Sequence, residues 1–271
     1  MERLRRPRIR AMSLMYHDVV ERGNPDSSGF PGKGPARYKL DWPLFHRHLA
    51  AIAAEGRSAG SVLEITAPER RIESWPLLLT FDDGGASAEP IGSALSDVGW
   101  IGHFFITVDY IGNPGFLDES GIRRLAQMGH VIGTHSCSHH VPFNRLPEEQ
   151  MVAEWRRSTV VLNEIAGNAI VVGSVPGGYY SPLVARSAAL SGVKALFTSQ
   201  PVVTCQQLDR SLVLGRYAIL SGTPPKTVAR LARGELTPRL RQFASWKARG
   251  VVKLVLGDAY RTLRTRLLER A

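Results

Sequence analysis

Short runs of apolar residues alternate along this chain with stretches of helical periodicity. Met12–Tyr16, Leu77–Phe81, Gly102–Val108 and Val131–Thr134 are apolar with little polar interruption, the pattern of strands buried on both faces. Leu44–Glu55 sets Leu44, Phe45, Leu49 and Ile52 at helical spacing, and Ile91–Val98, Gly121–Met128 and Glu148–Ile165 read the same way. Pro147 stands where the first turn of a helix tolerates proline. Strand-then-helix alternation predicts an α/β fold with a mainly parallel sheet, open or closed into a barrel. Asn24–Arg37, rich in Gly, Pro and Ser, predicts a long loop.

Folds of this class carry their active sites at the C-terminal ends of the strands. The conspicuous polar residues fall there: His17 after the first strand, Asp82 and Asp83 after the second, His135 after the fourth. Adjacent buried carboxylates repel unless a cation or an assigned proton resolves the conflict. Asp-Asp-Gly is equally good turn chemistry, so the pair alone does not decide. His135 and His139 are spaced i, i+4, and a helical turn would bring both imidazoles to one face. With one carboxylate they would make three metal ligands and leave a position open for water. Cys137, between them, reads as a packing residue, and His140 as a surface or outer-shell one.

The chain has 271 residues, 44% of them hydrophobic, enough for one large domain with its own core. Two cysteines without CxxC spacing predict no disulfide framework and suit a reducing compartment. The basic head of the chain leads into an apolar run soon broken by His17 and Asp18, unlike a secretory signal, and no window of about 18 apolar residues occurs. A cytoplasmic protein, peripheral at most to the inner face of a membrane, is the expectation. Net charge is +10 but uneven: residues 1–10 carry +4 and residues 226–271 carry +9, which leaves the body at −3. Basic ends on a slightly acidic body point to an anionic surface rather than a nucleic-acid groove. Residues 224–249 and 251–270 read as two basic helices. In the second, Val251, Leu254, Val255, Leu263, Leu267 and Leu268 can share a face, as in a helix lying on an anionic membrane or one covering an edge of the fold.

Thr80–Gly84 (TFDDG) and His135–His139 (HSxxH) together resemble the first two motifs of the polysaccharide deacetylases, the NodB-homology or carbohydrate esterase 4 family. Leu14–Val19 is similar to the first strand of many members, and the resemblance spans roughly residues 11–220. It implies a (β/α)-barrel-like fold, a distorted or incomplete barrel of mostly parallel strands. It implies Asp82 as general base and Asp83, His135 and His139 as ligands of one divalent metal, with Zn suiting the donors and Co, Ni or Mn tolerating them. Gly177, in Gly173–Ser181, would offer a backbone N–H to the oxyanion. The substrate would be an N-acetylated glycan, with no nucleic acid involved. On this reading residues 1–10 are a basic arm, 11–222 the catalytic domain and 223–271 a basic helical C-terminal extension.

Two departures stand out. The Arg that the third motif normally pairs with the base is missing near Ser174; Arg216 could supply it, though an Arg snorkelling at a strand end is the plainer reading. No His follows His140, so the usual general acid is absent, and His17 is the expected substitute. These departures leave open a weak or inactive glycan-binding relative, or a deformylase acting on a lipid-linked amino sugar.

Overall fold

The computed structural model describes residues 9–66 and 75–250. In chain order the strands are β1 (Met12–Tyr16), β2 (Val19–Val20), β3 (Leu40–Asp41), β4 (Leu77–Phe81), β5 (Gly102–Ile106) and β6 (Val131–Thr134), followed by β7 (Val172–Ser174), β8 (Ala195–Phe197), β9 (Gln206–Leu208), β10 (Ser211–Leu214) and β11 (Tyr217–Ala218). Between them lie α1 (Lys33–Ala36), α2 (Trp42–Ala53), α3 (Val62–Thr66), α4 (Ala88–Ser96), α5 (Glu119–Gln127), α6 (Glu148–Ala166), α7 (Pro182–Leu190) and α8 (Pro225–Ala232). The four expected strands and four expected helices form, with ends shifted by a few residues. The Gly102 strand is shorter than expected, ending at Ile106 before a 3-10 turn at Val108–Tyr110. Local signals explain several boundaries. Asp41, Asp118 and Ser181 cap α2, α5 and α7 by accepting a backbone N–H, and α6 stops at Gly167 in the left-handed region, φ 71°. The loop over 24–37 is punctuated by a 3-10 turn and by α1.

The main sheet runs β11-β1-β4-β5-β6-β7-β8-β10-β9, and its pairs are parallel except β9 with β10. Side-chain alternation divides it into two faces. Leu78, Phe105, Val172, Phe197 and Leu214 cluster on one. Leu79, Phe81 and Phe104 turn to the other and pack with the helical layer that contains Phe45, Ile91 and Leu125. A separate cluster holds α6 and α7 through Trp155, Met151, Val184 and Leu196.

The ends of this sheet are neighbours in sequence. β10 pairs with β8 and β11 pairs with β1, yet only Gly215 and Arg216 separate them. The chain therefore steps from one end of the sheet to the other in two residues, and the sheet must curl into a distorted barrel with its seam there. Ala11 N–H to the Val203 carbonyl at 3.0 Å and Arg216 N–H to Gln200 at 2.8 Å tie the seam. Gly215 is required: a Cβ there would collide with the carbonyl oxygens of Gln200 and Val202.

The C-terminal segment is not one helix over 224–249. α8 ends before Gly234, φ 79°, and a second helical stretch covers 236–250. That stretch is tied to β11 by Arg239 to the Tyr217 hydroxyl at 3.0 Å and Gln242 to the Ala218 carbonyl at 3.0 Å. The helix expected over 251–270 and the arm at 1–8 lie outside the described residues. No helix among the described residues is long and apolar enough to cross a membrane.

Gly215→Ala should cost about 1–3 kcal/mol through overpacking at the seam, read as a lower urea midpoint at unchanged m-value. Gly222→Ala, where an added Cβ meets nothing within 4 Å, should leave the midpoint in place.

Candidate metal centre

Asp82 and Asp83 leave β4 in opposite directions. Thr80 and Asp82 lie on the same side of the strand, where Arg216 spans them. Its Nη1 donates to Asp82 Oδ1 at 2.7 Å and to Thr80 Oγ1 at 3.2 Å, while Nη2 donates to Asp82 Oδ2 at 2.9 Å and to Ser174 Oγ at 2.8 Å. Nε donates to the Thr198 carbonyl at 3.1 Å. Arg216 is 1% exposed, so it does not snorkel: it is a buried counter-charge delivered from the seam. Burial by itself would raise the Asp82 pKa. The positive charge of Arg216, helped by His135 and His17, outweighs burial and holds it below the usual carboxylate value.

Asp83 takes φ 78°, which turns its carboxylate away from Arg216. Its Oδ1 lies 3.4 Å from Nε2 of His135 and 3.4 Å from Nε2 of His139. Burial again pushes upward, but hydrogen bonding to His135 and His139 dominates and holds Asp83 well below the carboxylate range. For His135, burial alone would lower the pKa; the carboxylates of Asp82 and Asp83 outweigh it and raise it. The two histidines do not converge through a helical turn, contrary to their i, i+4 spacing. The segment after β6 is an irregular arch in which Ser136 (φ 63°) and His139 (φ 54°) are left-handed.

The ligand atoms of Asp83, His135 and His139 all lie within 4.8 Å of one another, and their chemistry fits a divalent cation. His135 Nδ1 is 2.9 Å from the Ser174 carbonyl; a carbonyl only accepts, so Nδ1 carries the proton. In the neutral ring Nε2 then turns its lone pair toward Asp83. Two electron-rich atoms so placed suit a shared cation, and a backbone partner on the far nitrogen is the usual support of a metal-binding imidazole.

Residues 72–196 match the family model described as polysaccharide deacetylase. This stretch is similar to the polysaccharide deacetylases. Among curated proteins, none matches its sequence. The Streptococcus pyogenes deacetylase PplD, solved in complex with acetate, is 18% identical with a TM-score of 0.68 over 83% of this chain and 99% of its own. IcaB from Ammonifex degensii is 19% identical, TM-score 0.67, over 83% and 97%. A de-N-acetylase from Aggregatibacter actinomycetemcomitans is 18% identical, TM-score 0.68, over 82% and 99%. At these identities the likeness is one of fold.

His17, at the end of β1, is half-buried with its ring 4.5 Å from that of Tyr38. Its Nδ1 is buried without a hydrogen-bond partner among the described residues. Its charge would act on both Asp82 and Asp83, which puts it on the same side of the sheet as they are. Gly177, φ 58°, would carry a Cβ against Val141, two residues past His139. Cys137 is fully buried and His140 is exposed.

Sequence reading missed how the long loop is fastened. Asp18 Oδ1 accepts from Ser28 at 2.6 Å and from Ser87 at 2.8 Å, which joins the loop to the segment just after Asp83. Lys39 Nζ donates to the carbonyls of Pro25, Ser28 and Phe30 at 2.7, 2.6 and 2.7 Å. The loop thereby sets the Phe30 ring 4.8 Å from His139. Gly85 must be glycine, since a Cβ there would strike Asp18 Oδ1. No pattern in the sequence pairs Asp18 with residues so distant, although its place beside His17 at a strand end was a signal of position.

Removing the guanidinium leaves burial of Asp82 without its main counter-charge, so Asp82 should protonate at higher pH. In Arg216→Gln the acidic limb of the pH–rate profile should move upward, and unfolding should lose about 3–5 kcal/mol. Arg216→Lys, keeping the charge but not the fork, should move the limb less.

Proposed function

We propose that the protein is a metal-dependent hydrolase that removes N-acetyl groups from amino sugars of a polysaccharide, oligosaccharide or lipid-linked glycan precursor. The observation that carries this reading is the division of two adjacent carboxylates between two partners. Asp82 is held by Arg216 and stays ionised, while Asp83 faces His135 and His139. Different environments for neighbouring acids suit different jobs.

On this reading Asp83, His135 and His139 hold the cation. When bound, a divalent metal such as Zn supplies Lewis-acid polarisation of the acyl carbonyl and lowers the pKa of water. Asp82 takes the proton of the attacking water, and its fork to Arg216 keeps it ionised and aimed. The backbone N–H of Gly177 donates to the oxygen that gains charge as the carbonyl carbon becomes tetrahedral. His17 returns a proton to the amine nitrogen as the C–N bond breaks. Its buried, unpartnered Nδ1 and the nearby carboxylates support this role. Arg216 beside Ser174 favours an active enzyme over a binding-only relative, because the counter-charge for the base is present from another strand.

Residues 226–271, at +9, complete the proposal as a segment that meets an anionic membrane surface, each nearby cation contributing about 1 kcal/mol. Leu236 and Leu240 are 60% and 54% exposed and support it. Co-sedimentation with vesicles rich in anionic lipid, lost at high salt and absent with neutral vesicles, is the expected result.

Elemental analysis should find one divalent ion per chain, and chelation should abolish acetate release from N-acetylhexosamine oligomers. Asp82→Asn and His17→Gln should each lower kcat/KM by about 10²–10⁴ with metal content retained, while Asp83→Asn and His135→Ala should lose the metal. A metal-free, active wild type would sink the proposal, and faster turnover of N-formyl than N-acetyl substrates would redirect it to a deformylase.

A further inference from the structure

The arch from His135 to His139 has two left-handed non-glycine residues, Ser136 and His139, a conformation that costs free energy and persists only where the surroundings impose it. Part of the restraint is local: Thr134 Oγ1 accepts from the Ser136 N–H at 3.1 Å, and Ser136 Oγ accepts from the His139 N–H at 3.3 Å. The crown of the arch, Cys137 and Ser138, is held from outside by the Asp109 N–H, which donates to the Cys137 carbonyl at 3.1 Å, and, among the described residues, by one side chain. Glu154 Oε2 accepts the backbone N–H groups of both Cys137 and Ser138 at 2.9 Å, and its Oε1 accepts the Ser138 hydroxyl at 2.9 Å. The Cys137 thiol in turn donates to the Glu154 carbonyl at 3.4 Å.

Glu154 sits on a rigid support. The adjacent Trp155 is fully buried, donates to Ser187 Oγ at 3.1 Å and packs 4.9 Å from the Phe143 ring. One turn further along α6, Ser158 meets the Thr134 hydroxyl at 2.5 Å, so the same helix face grips the end of β6 and the crown of the arch. A cavity of about 420 Å³ opens beside Glu154. Water can enter there, so a side chain change at Glu154 need not overpack a core.

We propose that Glu154 is the positioning residue of the metal centre. Its carboxylate holds the arch in the shape that brings both imidazoles to Asp83, and through them it sets metal affinity. This rests on the metal-centre reading above, although Glu154 itself is assigned no contact with metal or substrate. Charge-assisted bonds to two consecutive backbone N–H groups are strong, and partners one shell beyond metal ligands commonly govern affinity by ten- to a hundredfold.

The test is a zinc titration of the full chain, stripped of metal, alongside thermal unfolding of the same metal-free samples. In Glu154→Ala the zinc Kd should rise by about 10- to 100-fold. Ser138→Ala, which removes one of the three bonds, should give a smaller rise. Glu154→Gln should recover part of the loss, since its amide oxygen can still accept from the backbone. The metal-free unfolding temperatures of Ser138→Ala and Glu154→Gln should stay near that of wild type. Wild-type zinc affinity in folded Glu154→Ala overturns the inference, as does a loss of metal-free stability in all three variants with the Kd unmoved. A wild-type chain that binds no zinc, cobalt, nickel or manganese overturns the metal-centre reading itself, and this inference with it.

Discussion

A guanidinium buried at the barrel seam, with every nitrogen engaged, sets the terms for the rest of the site. Arg216 reaches the ends of three strands at once: Thr80 and Asp82 at β4, Ser174 at β7 and Thr198 just past β8. Phe105 and Phe197 flank it, each ring centroid 5.8 Å away. An unpaired charge in such a place would be prohibitive, and a bidentate carboxylate with further acceptors is what makes it tolerable. The dependence is mutual, because Asp82 is buried too and stays ionised chiefly through this contact.

That pairing also frees Asp83. With Arg216 committed to its neighbour, and with φ 78° turning it the other way, Asp83 finds its compensation in imidazoles. Backbone strain is concentrated here: Asp83, Ser136 and His139 are three of the four non-glycine residues with positive φ among those described. Each such residue costs on the order of 1–3 kcal/mol, so the surroundings must over-determine the geometry. Asp18 and Lys39 do so on the loop side, and α6 does so behind the arch. The site is thus held by elements widely separated along the chain, which is where a barrel's strand ends naturally bring residues together.

Much of the fold was legible because its causes are local. Buried parallel strands read as apolar runs and helices as a 3.6-residue period, whereas the caps Asp41, Asp118 and Ser181 emerged only with the structure. The candidate site was legible in kind for a related reason: acids and histidines at strand ends are costly residues in costly places. The conformation linking His135 to His139 was misread, since i, i+4 spacing suggests a helical turn and the chain instead uses two left-handed residues. Spacing reports sequence distance; φ is decided by what holds the loop.

By itself, then, the sequence determined the strand–helix alternation, the placement of Asp82, Asp83, His135 and His17 at strand ends, and the basic character of both termini. Tertiary structure alone decided which cation serves Asp82, how the arch is shaped, and that Glu154, Asp18 and Lys39 matter to it. The physical reason is the range of each interaction. Propensity and periodicity act within a few residues and leave a mark in the local text. The Asp18–Ser87 bond spans 69 positions and the Arg216–Asp82 pair 134, and that pair exists only because closing the barrel at Gly215 brings β10 and β11 to opposite sides of one seam.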